Sequence, residues 1–135
     1  MKTVTIVSDD KVGLLADISY RLAKGKINIE SVNVDVIAGK AIISLGLSDV
    51  VKGKGALEAA GYTVEEMNSV VVKLPDKPGE LTRITNMLSK DGISIQNVRT
   101  LSKDEKNTVL CITVDKPKRA MGLLKDYLVI NESPY

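Results

Sequence analysis

The residues best suited to chemistry form two short runs, Asp10 to Gly13 (DKVG) and Asp76 to Gly79 (DKPG). Each stands where an alternating apolar stretch gives way to helical spacing. The aspartate supplies a carboxylate that accepts hydrogen bonds from an ammonium group. The glycine, three places on, has no side chain to block approach to the start of a helix. The first N–H groups of a helix lack partners within it and carry its partial positive charge, which suits a carboxylate. One loop therefore offers places for both ends of an amino acid. This is binding chemistry, with no reacting group in it.

The rest of the composition narrows the choice further. The chain has no histidine, which excludes Ser-His-Asp and Cys-His arrangements and His-liganded zinc. No catalytic residue, metal ligand or cofactor is expected. Cys111 is the one cysteine, so no intramolecular disulfide can form, and it is read as an ordinary small residue. The net charge of +2 is spread among mixed signs, without the basic stripe that nucleic acid requires. An RNA-binding βαββαβ module stacks bases on sheet aromatics, and the matching strands, Thr3 to Ser8 and Ala41 to Leu47, carry none. No apolar run is long enough to span a membrane, and the opening TVTIV does not resemble a secretory leader, so the expected location is cytoplasmic.

The elements that must position the two loops repeat at an offset of 66 residues. Identical pairs are Asp10/Asp76, Lys11/Lys77, Gly13/Gly79, Leu15/Leu81, Ile18/Ile84, Leu22/Leu88, Lys24/Lys90, Ile27/Ile93 and Ile29/Ile95. A repeat of this kind sets the organisation before any local reading. It divides the chain into units at 1-67 and 68-135, each close to the lower size limit for an independent core.

In the first unit, Lys2 to Ser8 alternates as a strand, and Leu15, Ile18 and Leu22 form the inner stripe of a helix ending near Gly25. Ile27 to Ile37 reads as a strand with Val32, Val34 and Val36 inward, followed by a turn at Ala38 to Lys40 and a strand over Ala41 to Leu47. A small helix over Ala56 to Ala60, weakened at its start by Gly53 and Gly55, and a strand over Tyr62 to Glu66 complete a β-α-β-β-α-β order. The second unit follows suit, with strands at Asn68 to Leu74, Ile93 to Ser102 and Asn107 to Val114, and a helix at Gly79 to Lys90. A further helix over Pro117 to Asp126 leads to a closing strand at Tyr127 to Ile130, and Glu132 to Tyr135 forms a loose tail. The expected fold class is α+β, two tandem ferredoxin-like units with antiparallel sheets packed side by side and no linker.

The loop and helix start, DKVGLL and DKPGEL, followed by the KINI and GISI approaches to the second strand, resemble the ACT domain. This small regulatory βαββαβ module commonly binds amino acids. The resemblance covers the whole chain, twice. It implies a ligand held between two modules, by the loop of one and the start of the second strand of the other. Carried onto this sequence, the ligand-binding positions are Asp10, Gly13 and Leu14 with Asn28 and Ile29, and Asp76, Gly79, Glu80 and Leu81 with Ser94 and Ile95.

Asn28 matches the amide found in some amino-acid-binding members, whereas Ser94 departs from it, and Val12 replaces the proline present as Pro78. The better site is expected to pair the DKPGEL loop with Asn28, although Glu80 places a negative charge beside the helix start. The resemblance implies a regulatory protein that senses an amino acid and passes the signal to a partner, with a metabolic enzyme as a candidate. Each unit also has two edge strands, which favours a homodimer or higher oligomer. The alternative reading is a ligand-free scaffold or oligomerisation subunit.

Overall fold

A computed structural model describes residues 3–65 and 68–129. Its contacts divide these residues into two compact units, 3–65 and 68–129. The expected division after residue 67, and the readings at Lys2, Glu66, Ile130 and 132–135, fall on or beside positions outside the described residues.

In unit 1 the order is β1 (Thr3–Asp9), α1 (Leu14–Lys24), β2 (Ile29–Ile37), β3 (Lys40–Leu47), α2 (Val50–Ala59) and β4 (Thr63–Val64). The sheet order is β2-β3-β1-β4 with antiparallel pairing throughout. This is the βαββαβ arrangement that the ACT resemblance implied. Its core joins Val4 and Ile6 of β1, Ile43, Leu45 and Leu47 of β3, Leu14, Ile18 and Leu22 of α1, and Leu57 of α2.

Unit 2 contains β5 (Ser69–Pro75), α3 (Glu80–Lys90), β6 (Ile95–Lys103), β7 (Asn107–Val114), α4 (Pro117–Leu123) and a 3-10 turn at Lys125–Tyr127. Its sheet has the order β5-β7-β6. Among the described residues of the expected closing strand there is one bridge, between Leu128 and Val72, with the Val129 N–H donating to the Val71 carbonyl at 3.0 Å. The helix before it ends at Leu123, and a tighter turn at Lys125–Tyr127 follows where the helix was expected to run on to Asp126.

Three expectations about packing need correction. Leu14, not Leu15, belongs to the inner stripe of α1; Leu14 is 5% exposed and Leu15 is 37%. At 3.6 residues per turn, positions 14 and 15 flank Ile18 on opposite sides, by about 40° and about 60°, so the stripe centred on Ile18 takes in position 14 more fully. Val32, Val34 and Val36 do share the core-facing side of the sheet, opposite Leu45, Ile43 and Ala41, but they are 46%, 49% and 49% exposed. They lie on an edge strand that the helices do not cover.

Helix α2 is also longer than expected. It starts after Asp49, whose carboxylate accepts from the Lys52 N–H at 3.0 Å, and it runs through both glycines. A Cβ on Gly53 would stand 2.4 Å from Cδ1 of Leu47, so this glycine permits close approach of helix to sheet. At the equivalent place in unit 2, Ala120 of α4 is fully buried and Val114 ends β7 in place of Leu47. A smaller strand residue there makes room for a larger helix residue.

The hairpins account for a change of offset. Ala38 and Gly39 turn β2 into β3 with φ of 53 and 79, the two-residue geometry in which both central residues are left-handed. Between β6 and β7 the turn is one residue longer, and the Asp104 carboxylate accepts from the N–H groups of Lys106 at 2.8 Å and Asn107 at 2.7 Å. These bonds hold the Asp104 carboxyl below its usual pKa.

Candidate functional site

Both loops adopt one backbone solution. Gly13 and Gly79 are the residues before α1 and α3, with φ of 83 and 89, a left-handed conformation that costs any other L-residue about 1–2 kcal/mol. No atom lies within 4 Å of where a Cβ would be at either position. Glycine is therefore required by the turn, and the space beside it is open.

The hydrogen bonds at the helix starts also match. Leu14 and Glu80 donate back to the carbonyls of Lys11 and Lys77 at 3.3 and 3.4 Å, and Asp17 and Arg83 donate to Gly13 and Gly79 at 2.9 and 3.0 Å. Between them, the N–H groups of Leu15 and Ala16, and of Leu81 and Thr82, have no acceptor among the described residues. Two adjacent donors at the positive end of a helix, beside an open glycine, form a small receptor for a carboxylate. The sequence had pointed to Gly13 and Gly79, but the donors belong to the residues two and three places later. The general rule that a helix begins with unpaired N–H groups was the available signal for them.

The side chains around this shared backbone differ. Asp10 is exposed, and its carboxylate has no partner among the described residues. The neighbouring Asp9 instead pairs with Lys40 at 2.5 Å, which lowers its pKa. In unit 2, Asp76 lies 3.5 Å from Lys103 Nζ and accepts at 3.5 Å from the Thr108 hydroxyl. The Lys77 N–H donates to the Pro75 carbonyl at 2.9 Å, closing a tight turn that has no counterpart in unit 1 among the described residues.

Glu80 is held by the guanidinium of Arg83, so its charge at the start of α3 is compensated. Arg83 also lies over the Tyr127 ring, 5.6 Å from its centroid. In unit 1 the corresponding helix residue is Asp17, which accepts from the Tyr62 hydroxyl. That bond lowers the pKa of Asp17, while burial and the carboxylate push the Tyr62 phenol up to about 12.

Leu14 and Leu81 have different places. Leu14 is core, whereas Leu81 is 45% exposed and its counterpart Leu15 37%, both beside the unpaired donors. Along the same helix of unit 2, a depression of about 400 Å³ is lined by Gly79, Thr82, Arg83, Asn86, Met87 and Lys90. The last five were not foreseen. Their signal was their recurrence at helical spacing on the side of α3 away from Ile84 and Leu88.

The starts of the second strands lie elsewhere. The Asn28 N–H donates to the Ser48 hydroxyl, and the Ser48 N–H to the Asn28 carbonyl, both at 3.0 Å. Ser94 and Asp115 make the same reciprocal pair at 2.9 and 3.2 Å. The Asn28 side-chain amide is left exposed, and Ile29 and Ile95 pack partly on the two cores. Register then fixes the separation within each unit. Asp9 pairs with Lys40 at one end of β3 and Ile29 with Leu47 at the other, so the loop and the strand start are on the order of 23 Å apart. The same holds for Pro75 opposite Asn107 and Ile95 opposite Val114. The structure brings Asp10 to Gly13, but not to Asn28 of the same unit.

Among the described residues no group of three acidic, cysteine or histidine side chains could hold a metal, and no helix is long and apolar enough to cross a membrane.

No family model and no curated protein sequence matches this chain. Solved structures do resemble it in backbone course. Protein BT0572 from Bacteroides thetaiotaomicron is 23% identical, with 92% of this chain and 85% of that one covered at a TM-score of 0.47. The regulatory subunit of aspartate kinase from Thermus thermophilus is 13% identical, with 93% and 90% covered at a TM-score of 0.43. The small subunit of acetolactate synthase from Thermotoga maritima is 16% identical, with 93% and 88% covered at 0.39. The likeness is one of fold, and the ACT resemblance rests on the loop motifs and on the topology of the units.

Proposed function

We propose that this protein is a tandem ACT regulator that binds a small amino acid and passes the signal to a partner, with no chemistry of its own. The observation that carries the reading is the recurrence of one carboxylate receptor. A left-handed glycine followed by two unpaired N–H groups at a helix start occurs in both units. The proposed ligand contacts are Asp10 and Gly13 with the N–H groups after them, Asp76, Gly79 and Leu81 with theirs, and the strand starts at Asn28, Ile29, Ser94 and Ile95. Because loop and strand start lie at opposite ends of each sheet, a ligand that touches both takes them from two modules. The chain is further proposed to assemble with copies of itself and to deliver its output to a metabolic enzyme.

A thermal-shift screen against the common amino acids tests this reading. A ligand present at 100 times its Kd adds about 2.7 kcal/mol of stability, a readily visible shift. If none of them shifts the transition, the ligand-free scaffold replaces the sensor. With the best ligand in hand, calorimetry on Asp76→Ala and Asn28→Ala is expected to show a larger loss of affinity than on Asp10→Ala and Ser94→Ala. The reverse order would transfer the principal site to the first loop.

A further inference from the structure

One turn into their first helices the two units carry opposite charges. In α1 the residue is Asp17, which accepts from the Tyr62 hydroxyl and pairs with Arg21 at 3.4 Å. At the matching place in α3 it is Arg83. Side chains on a helix lean toward its N-terminus, so a long one in the second turn covers the first. Arg83 does this: it donates to the Glu80 carboxylate, lies 5.6 Å from the centroid of the Tyr127 ring, and lines the depression that opens beside Gly79. A guanidinium has several N–H donors, and those not given to Glu80 have no acceptor among the described residues. The loop carboxylates differ in the same sense. That of Asp10 has no partner among the described residues, whereas that of Asp76 stands 3.5 Å from Lys103 Nζ.

We propose that Arg83 is a specificity residue, and that it makes the second loop select an α-amino acid whose side chain ends in a second carboxylate, aspartate or glutamate. The proposal rests on the reading of the loops as amino-acid receptors and adds the class of ligand. With the α-carboxylate on the N–H groups of Leu81 and Thr82, a side-chain carboxylate a few bonds away is within reach of a guanidinium that covers the same turn. Arginine presents its donors as a planar fork that fits a carboxylate, and its charge is permanent. Asp76 does not oppose the added charge fully, because Lys103 already offsets it. Lys90 also lines the depression but stands two turns beyond Arg83, roughly 10 Å along the helix, too far for a ligand of this size. Asp17 at the corresponding place in unit 1 offers such a carboxylate no partner.

Titration calorimetry on the full chain compares aspartate and glutamate with asparagine and glutamine, which keep the shape and lose the charge. The acids are expected to bind about fivefold more tightly, the factor that an exposed ion pair supplies near the top of its usual range. The margin should narrow as salt is raised. Arg83→Met, which keeps a long side chain over Tyr127, is expected to remove the margin and to leave the amides within about twofold of their affinity for the unaltered chain. Arg83→Lys should restore part of the margin, and Lys90→Gln should leave it unchanged.

Amides that bind as tightly as the acids overturn the proposal and leave the amino-acid reading standing. The same holds if the margin survives Arg83→Met, if Lys90→Gln abolishes it, or if some other amino acid binds and none of these four does. An Arg83→Met variant that weakens acids and amides alike also overturns it, because Arg83 then acts on the fold of the loop and not on the ligand's charge. If no common amino acid binds the unaltered chain, this proposal and the reading beneath it fail together.

Discussion

Units 1 and 2 share a backbone plan and differ in the side chains that hold it, and the differences come in compensating sets. Where unit 1 sets Gly53 against Leu47, unit 2 sets Ala120 against Val114. Where Asp17 accepts from Tyr62, Arg83 lies over Tyr127. Where α1 ends through Lys26 at a φ of 59, α3 ends through Gly92 at 72. In the first case the total volume is kept, in the second an aromatic ring is tied to the same turn of helix, and in the third a backbone conformation is kept at different cost. The comparison teaches that the repeat specifies which places must be filled, while the chemistry that fills each place is settled locally.

The largest effect is expected from breaking the first set. Gly53→Ala drives a methyl into Leu47, and overpacking of this kind typically costs about 1–3 kcal/mol. Adding Leu47→Val, which copies unit 2, should recover most of that loss, so urea unfolding of the double variant is expected to show strong coupling between the two sites. Gly55→Ala in the same helix meets open space and should stabilise by about 0.4–1 kcal/mol. Equal costs at 53 and 55 would show that helix propensity, not the contact with Leu47, governs both.

The glycines before the helices come next. Ala at Gly13 or Gly79 is expected to destabilise by about 1–2 kcal/mol in thermal unfolding, through the left-handed backbone alone, since nothing surrounds the added carbon. The effect should be alike in both units. At the other ends of the same helices it should have opposite sign: Lys26→Gly removes a left-handed lysine and gains about 1 kcal/mol, and Gly92→Ala loses about as much.

The smallest effect concerns pH. The Asp17 carboxyl is depressed, so its contribution is present above the ordinary carboxylate range and is lost as pH falls through its folded value. The Tyr62 phenol is raised from 10.0 to about 12, so its contribution is complete below 10.0 and is lost as pH rises toward about 12. An absorbance titration should show a late-ionising tyrosine, and Tyr62→Phe should remove it. If the late component persists in that variant, the hydrogen bond to Asp17 is not its cause.

Much of this was legible in the sequence because it is periodic. Alternation located β1, β3, β5 and β7 to within a residue or two, and the spacing from Ile18 to Leu22 and from Ile84 to Leu88 located α1 and α3. The left-handed glycines were legible because glycine marks such a turn. Coverage was not legible: nothing in Val32, Val34 and Val36 says that the helices stop short of β2. Nor was Gly53, which looks like a poor helix former until Leu47 is seen beneath it. At the site, glycine and carboxylate could be named from their types, but the donors are backbone groups of Leu15, Ala16, Leu81 and Thr82, and a backbone N–H has no letter.

The pairing of β3 has a consequence in time. It is flanked by β1 and β2 along nearly its whole length, whereas among the described residues β4 is joined to β1 by Ile6 with Val64 and Val7 with Thr63, beside one further bond from Glu65 to Thr5. Removing β4 breaks a few bonds; removing β3 dismantles the sheet. Amide hydrogens at Thr63 and Val64 should therefore exchange through small, frequent openings, and those of Ile43 and Leu45 only when unit 1 opens as a whole. The slowest amides of the unit would then report its global stability, and the fastest strand amides would report how often its last strand lets go.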